Sequence, residues 1–320
     1  MNLKSRGGWE SAVDSVPAST RLLKNRKAEK SKAQKGELRG KSLILISAII
    51  IMAAAVSITL FLTLKGIQSF LFDVINVVHF IAGSDWAPKG NPPSYGALVF
   101  IFGSFAVTFL AAVVAAPIGI GSALFMTEIT KKWGQKVLQP IIEILVGIPS
   151  VVYGFIGLTV LVPFIRTYIG GPGFSLLAGA VVVGVMILPT VTSIAADALR
   201  SIPGYLHDAS YALGATRWQT IYKVVIPAAL PSLLTAVVLG MARAFGEALA
   251  VQMVIGNVNA FPDSLLDTAA TLTSRITLSM GNTTYGSTLN DVLWSLGLIL
   301  LVMSYVFILF IRFLSRRRKV

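Results

Sequence analysis

The sequence contains no cysteine and only two histidines. Without cysteine, the chain can have neither a disulfide framework nor a thiolate metal site or nucleophile. His79 and His207 are too few and too far apart along the chain to suggest a metal site. No clustering of serine, histidine and acidic residues is apparent either. We therefore expect no metal and no catalytic residue in this chain.

Charged residues are also scarce, at 13% of the 320 residues, whereas 55% are hydrophobic. Several apolar runs reach the length of about 20 residues that a helix needs to cross a bilayer. This leaves no room for a sizeable soluble domain. The sequence predicts an all-α polytopic membrane protein with six spans, at about 43–66, 97–127, 137–165, 174–197, 228–256 and 291–312.

Acidic residues are outnumbered, with 14 Asp and Glu against 27 Lys and Arg. The N-terminal tail, the 131–136 and 200–223 loops and the C-terminal tail carry 22 of the 27 basic residues. Basic residues favour the cytoplasmic side, so both termini and the 200–223 loop are predicted to be cytoplasmic, in the inner membrane of a prokaryote. The net charge of +13 therefore indicates membrane topology, and no nucleic-acid partner is expected.

The termini are expected to be two basic tails on either side of a six-helix transmembrane domain at 42–313. Residues 1–41 lack an apolar period and predict a disordered cytoplasmic tail that contacts anionic membrane lipids. Residues 314–320 form the second tail. The segment Gly36–Ser42 resembles a phosphate-binding P-loop, but it has one residue too few between its glycines. We therefore expect this chain to bind no ATP and no other cofactor.

A polar segment at 205–227 lies between two long apolar runs. Apolar residues at helical spacing predict a short helix from Leu206 to Leu213, which Gly214 ends because glycine adopts positive φ at little cost. Thr216 is placed to cap a second helix, and Pro227 is predicted to end it. Such a hairpin could dock a partner, or it could lie on lipid headgroups as an ordinary interfacial loop.

The spacing of this hairpin resembles the EAA loop of ABC importer permeases. The matching positions are Asp208, Ala209, Ser210, Gly214, Val224, Ile226 and Pro227. Asp replaces Glu, Ser replaces the second Ala, and Ile replaces Leu of the family pattern. In that family the loop is the coupling helix that sits in a groove of the cytoplasmic ATPase. The resemblance therefore implies that ATPase coupling involves Asp208, Ala209, Gly214, Arg217 and Pro227.

The fifth predicted span contains two ionisable residues, Arg243 and Glu247, four positions apart. Each costs about 2.5–3.5 kcal/mol at mid-depth on insertion scales, so it is usually paired or turned toward a water-filled path. On one helix the two would share a face. They could line an anion path, with Glu247 holding Arg243 in place, or form a self-neutralising pair that only lets the helix insert. A ladder of small residues, Ala236, Gly240 and Ala244, predicts close approach of another helix.

Two proline-containing segments, Gly147–Gly154 and Leu188–Ser193, interrupt the third and fourth predicted spans. Proline frees backbone carbonyls, so these bends belong against protein or a cavity. We predict that Ser150 and Thr190 line a substrate path. The alternative is that the bends serve helix packing alone.

The segments Gly147–Gly154 and Arg243–Gly256 narrow the resemblance to the phosphate permease family that contains PstC and its sister subunit PstA. The resemblance implies the type I ABC importer (MetI-like) fold and phosphate import by alternating access. It implies a second permease subunit (PstA-like), an ATPase dimer (PstB-like) that binds ATP and Mg, and an extracytoplasmic phosphate-binding protein (PstS-like). Open alternatives are an ABC permease for sulfate or molybdate, an ATP-independent secondary anion transporter, and a non-transporting sensor or scaffold.

Overall fold

The structure, a computed structural model, describes residues 18–72 and 75–316 and is almost entirely helical. The helices are α1 (Ala18–Leu71), α2 (Val77–Ala82), α3 (Leu98–Leu124), α4 (Lys131–Gly147), α5 (Ser150–Ile156), α6 (Val162–Phe164), α7 (Leu176–Arg200), α8 (Gly204–Ala212), α9 (Arg217–Thr220), α10 (Ile226–Phe245), α11 (Leu249–Val254), α12 (Leu272–Met280) and α13 (Thr288–Arg316). Wider, π-type turns lie at Phe125–Ile129, Gly157–Leu161, Ile165–Ile169 and Ile221–Val225. The strands β1 (Trp86–Ala87) and β2 (Ser94–Tyr95) form a small antiparallel ribbon, in which Trp86 pairs with Tyr95.

Six of the described helical stretches are long and apolar enough to cross a membrane, which confirms the predicted number of spans. They are Gly40–Leu71, Leu98–Ile129, Ser150–Ile169, Leu176–Arg200, Arg217–Phe245 and Thr288–Leu309. Four of them correspond closely to the predicted ranges. The third and the fifth differ, and both differences involve breaks that hydropathy does not reveal.

The third span starts at Ser150, so the predicted range of 137–165 is wrong at its N-terminal end. The chain before it forms the separate helix α4, and the backbone becomes extended at Ile148 and Pro149. A residue before proline is driven out of the α region, and proline has no N–H to donate, so the helix ends here. The Tyr153 hydroxyl bridges the break by donating to the Leu145 carbonyl at 2.8 Å.

The fifth span covers Arg217–Phe245, whereas the sequence predicts 228–256. Its C-terminal end is a break at 246–248, after which the chain continues as the short helix α11. At the other end, the predicted helix stop at Pro227 is wrong, because α9, the wide turn and α10 form one continuous stretch. The Ile226 N–H donates to the Ile221 carbonyl five residues back, just before the proline. This wide turn accommodates a residue that cannot donate an N–H. The same arrangement precedes Pro163, where the Val162 N–H donates to the Gly157 carbonyl.

Helix α7 is the centre of the packing, and small residues let its neighbours come close. A side chain at Gly119 of α3 would meet Val191, and one at Gly240 of α10 would come within 2.6 Å of Val191 Cγ2. Ala236 and Ala244 are buried on the same face as Gly240, which confirms the predicted small-residue ladder. Since lipid tails are as apolar as leucine, such close van der Waals contact is a main source of helix association in membranes.

The chain divides into two compact units, Met1–Phe61 and Leu62–Val320. In the first unit, the described part of the predicted disordered tail, residues 18–41, is helical and continuous with the first span. This corrects the expectation for that part, and residues 1–17 lie outside the described residues. The physical reason is composition: residues 18–41 are rich in Ala, Leu, Lys, Arg, Gln and Glu, the best helix formers. Residues 317–320 of the C-terminal tail also lie outside the described residues.

Candidate functional site

The hairpin at 205–227 is confirmed as two helices joined by a tight turn. Helix α8 ends at Ala212, and Gly214 adopts φ +79°, in the left-handed region where glycine is favoured. Thr216 caps α9 through a reciprocal capping box with Gln219. The two helices are tied together by their hydroxyls, since Ser210 Oγ and Thr220 Oγ1 lie 2.9 Å apart and are buried.

The hairpin is anchored to the end of the second span by polar contacts that the sequence did not reveal. The guanidinium of Arg217 donates to the carbonyls of Glu128 and Ile129. The Glu128 carboxylate lies 3.3 Å from His207 Nε2 on α8. Glu128 is itself buried, with 7% of its surface exposed. An acidic residue at the polar end of an apolar span was the only signal that could have identified it.

The outer face of the hairpin is unusually apolar for a polar loop. Five large side chains are exposed in the isolated chain, namely Tyr205, Tyr211, Leu213, Trp218 and Tyr222. Leu213, beside the turn, is 89% exposed. Asp208 and Ala209 are exposed as well, as are Gly214 at the turn and Arg217, whose guanidinium reaches the second span. A contiguous apolar face rimmed by polar residues is typical of a protein interaction site.

Arg243 lies near the end of the fifth span and is exposed in the isolated chain. Its Nη1 donates to the Thr190 hydroxyl of α7 at 2.8 Å. The structure therefore brings together two predicted residues from two helices, Arg243 of α10 and Thr190 of α7. Ser150 lies one turn before Tyr153 on α5, and no described hydrogen bond joins it to this group.

Glu247 does not share a helix face with Arg243, so this expectation is wrong. The helix ends at Phe245, and within the part of the chain that the structure describes no salt bridge joins the two residues. One carboxylate oxygen of Glu247 instead accepts from the Ala250 N–H at 3.2 Å, at the start of α11. Its carbonyl accepts from the Thr273 hydroxyl of α12 at 2.7 Å.

Glu247 also lines a small internal cavity of about 10 Å³. The other lining residues are Ser104, Val107, Thr108, Ala244, Phe245, Val251, Thr271 and Thr273. This space is about the size of one water molecule, and its hydroxyls are suitable partners for one. Because Glu247 makes these contacts instead, the Thr190 hydroxyl is the described hydrogen-bond partner of Arg243.

Among residues 18–72 and 75–316, no group of three or more His, Asp or Glu side chains is placed to hold a metal ion. His207 contacts a carboxylate, and His79 lies on the short helix α2.

Comparison with known proteins shows the family to which the chain is related. Residues 115–320 match the family model described as binding-protein-dependent transport system inner membrane component. The chain is 61% identical to the probable ABC transporter permease protein YqgH of Bacillus subtilis, over 96% of this chain and 98% of that protein. It is 31% identical to the phosphate transport system permease protein PstC of Mesorhizobium japonicum, over 84% of this chain and 86% of that protein.

The fold is similar to a chain of a bacterial alginate ABC transporter, solved with an alginate pentasaccharide-bound periplasmic protein. The TM-score is 0.62 and the identity 18%, and the match covers 89% of this chain and 96% of that one. At this identity the similarity shows the fold alone, which is that of type I ABC importer permeases.

Proposed function

This chain belongs to the family of binding-protein-dependent transport system inner membrane components, the permeases of ABC importers, and within that family we propose that it moves inorganic phosphate across the cytoplasmic membrane. The family is a transport component, and ATP hydrolysis resides in a separate subunit. The proposed assembly contains a second, PstA-like permease, a PstB-like ATPase dimer that binds ATP and Mg, and a PstS-like phosphate-binding protein. Both termini and the hairpin would face the cytoplasm.

The observation that carries the substrate proposal is the state of Arg243. Its side chain lies on a membrane-spanning helix and is exposed in the isolated chain. Its hydrogen-bond partner is the neutral Thr190 hydroxyl, and no carboxylate in the described part of the chain forms a salt bridge with it. A cation in this state lowers the cost of moving an anion through a low-dielectric path. The PstC relative at 31% identity supports phosphate as that anion.

Two of the predicted pathway residues receive revised roles in this proposal. Thr190 orients the arginine by accepting its hydrogen bond. Glu247 caps α11 beside the chain break, and no described salt bridge joins it to the arginine. Ser150, at the start of α5, remains a proposed lining residue of the same path.

The coupling proposal follows from the hairpin. Its exposed apolar face would occupy a groove of the ATPase, and its two anchors to Glu128 and Ile129 would transmit the movement to the second span. The fifth span begins at Arg217 itself, so one docked element moves two spans. This is the arrangement that alternating access requires.

The proposal is tested by purifying the tagged chain from its native membrane in mild detergent and identifying its companions by mass spectrometry. We expect a second six-span permease and an ATPase with a P-loop. With the matching binding protein added, phosphate should stimulate ATP hydrolysis, whereas sulfate and molybdate should not. Stimulation by sulfate or molybdate alone would assign the other oxyanion. A chain that purifies alone and moves an anion in liposomes without ATP would instead be a secondary transporter.

A further inference from the structure

A cationic pocket lies beside the N-terminal end of the second span, whereas the hairpin is anchored at the C-terminal end of that span. It has a volume of about 370 Å³. The residues that line it come from β1 and its following turn, from the loop after α11, and from α12 to the start of α13: Trp86, Ala87, Pro88, Lys89, Gly90, Asn259, Arg275, Leu278, Ser279, Asn282, Thr283 and Leu289. We call this the outer pocket. None of these described lining residues is acidic, and two of them, Lys89 and Arg275, are basic.

Arg275 is the unusual member of the outer pocket. The side chain is half-buried, and its Nε is shielded from solvent without a hydrogen-bond partner. Its guanidinium carbon lies 5.3 Å from the centre of the Trp86 ring and 5.7 Å from that of Phe100. In the described part of the chain, these ring faces are the partners of the charge, and no salt bridge reaches it.

Burial lowers the pKa of Arg275 from its usual value, because desolvation disfavours the charged form. Arginine nevertheless stays protonated at neutral pH, so the pocket contains a partly desolvated and uncompensated positive charge. Two other lining residues also have a buried polar atom without a partner, Trp86 Nε1 and Asn259 Oδ1. The Asn259 amide can rotate by 180° to present its donor instead. An uncompensated charge of this kind is stabilised by an anion, and Arg is the side chain whose planar donors best match an oxyanion.

The position of the outer pocket relates it to the path at Arg243. Phe100, under the Arg275 guanidinium, and Phe105 are five residues apart on α3, about 7.5 Å along the helix axis. Phe105 packs edge-on against Phe245, two residues after Arg243, with ring centres 5.2 Å apart. The hairpin anchors, in contrast, lie at the other end of the second span, at Glu128 and Ile129.

We propose that the outer pocket is an anion-binding subsite in which Arg275, with Lys89 at the rim, holds an inorganic oxyanion before it reaches Arg243. This inference rests on the proposed function, since it assigns the pocket to the extracytoplasmic side and the ligand to the transported class. The free oxyanion is favoured over an acidic side chain of a docked protein because the guanidinium is half-buried within a concave pocket. Its stacking on Trp86 also provides a direct optical reporter.

The test uses the full chain in nanodiscs, with Trp9, Trp133, Trp218 and Trp294 replaced by Phe so that Trp86 is the remaining tryptophan. Emission is followed while inorganic phosphate is added at constant ionic strength, with choline chloride as the control salt. We expect a saturable change with phosphate that the chloride control lacks. The change should be lost in Arg275→Gln, weakened at least threefold in apparent affinity in Arg275→Lys, and kept in Arg243→Gln.

Each outcome discriminates. The subsite would be overturned if emission showed no saturable change up to about 10 mM phosphate, a concentration that covers weak, millimolar binding. An equal change in Arg275→Gln would overturn it as well. Tighter binding of a glutamate-rich peptide than of phosphate would overturn the free-oxyanion assignment. Circular dichroism and thermal unfolding of Arg275→Lys, which retains the charge, show whether the fold is intact. Phosphate binding to the outer pocket is measured without ATP or partners, so its absence would leave the proposed transport role of Arg243 standing. Conversely, the uptake measured for Arg243→Gln does not affect the binding result for the outer pocket.

Discussion

At the residue scale, the central feature is a guanidinium whose partner is a hydroxyl. Arg243 donates to Thr190, and the carboxylate four positions later caps a different helix. A self-neutralising pair would need the two groups in contact, and the break at 246–248 separates them. In the proposed function, the charge that is costly to place in a span attracts the translocated anion.

Replacing Arg243 with Gln should reduce phosphate uptake by cells more than about tenfold while leaving the protein level in the membrane unchanged. Unit charges about 4 Å apart attract by about 4 kcal/mol at an effective dielectric constant of ~20, so the loss of the cation is severe. The matched control is Thr190→Val, which removes the hydrogen bond but keeps the charge, and should retain most uptake. Normal uptake by Arg243→Gln would remove the proposed role of this residue.

Arg217 provides a second prediction at this scale. Arg217→Ala removes the donor that reaches the Glu128 and Ile129 carbonyls, so the hairpin should lose one of its anchors to the second span. We expect the ATPase to remain bound but its hydrolysis to respond several-fold less to the loaded binding protein. The control is Lys223→Ala, which removes a basic side chain from an exposed position of the same hairpin. Equal responses of the two variants would show that the anchor has no part in coupling.

At the element scale, local sequence signals were sufficient to predict the turn of the hairpin and the start of its second helix. The positive φ of Gly214 and the cap at Thr216 follow from residue chemistry over a few positions, and both are confirmed. The small-residue ladder on α10 was predictable for the same reason.

The ends of the third and fifth spans were missed, because hydropathy alone continues through both breaks. The third-span break carries a local signal in Pro149, whereas the chain after the fifth-span break packs closely on a distant segment: a side chain at Gly154 would come within 2.8 Å of Ala250 Cα. The prediction that Pro227 ends a helix was also wrong, because the wide turn before it accommodates a residue that has no N–H to donate. At the candidate site, Arg243 and Thr190 were found from sequence, whereas Glu128 and the true partner of Glu247 depend on contacts between segments far apart in the chain.

The turn at Gly214 can be tested by backbone conformation alone, since nothing lies within 4 Å of a side chain added there. Gly214→Val should strain the left-handed φ by about 1–2 kcal/mol, displace the exposed face of the hairpin and uncouple ATP hydrolysis from uptake. Gly214→Asn, which tolerates this φ, should remain close to wild type. Coupled transport in both variants would contradict a docking role for the turn.

The close approach of α5 and α11 gives a stability prediction. Gly154→Val places atoms where the Ala250 backbone and Met253 already lie, so overpacking should cost about 1–3 kcal/mol. We expect a lower midpoint of thermal unfolding in detergent. Gly147→Val is the control, because nothing lies within 4 Å at that glycine, and its midpoint should change less. Equal midpoints would show that the packing of these two helices is looser than described.

At the scale of the whole molecule, the isolated chain leaves its functional surfaces uncovered. The apolar face of the hairpin and the Arg243 side chain are both exposed, at different levels of the fifth span. In an assembly with a second permease and an ATPase, the first surface would be buried by the ATPase and the second would face a path shared between permeases. In the proposed assembly, the chain would supply half of a pathway that is complete only in the complex.

The most direct test of the central claim is uptake of radiolabelled phosphate into proteoliposomes that contain this chain, its companion permease and ATPase, and the matching binding protein. The account predicts accumulation that requires ATP on the hairpin side of the membrane, that excess sulfate leaves unchanged, and that Arg243→Gln abolishes. Accumulation without ATP, or undiminished accumulation by the Arg243→Gln complex, would contradict it.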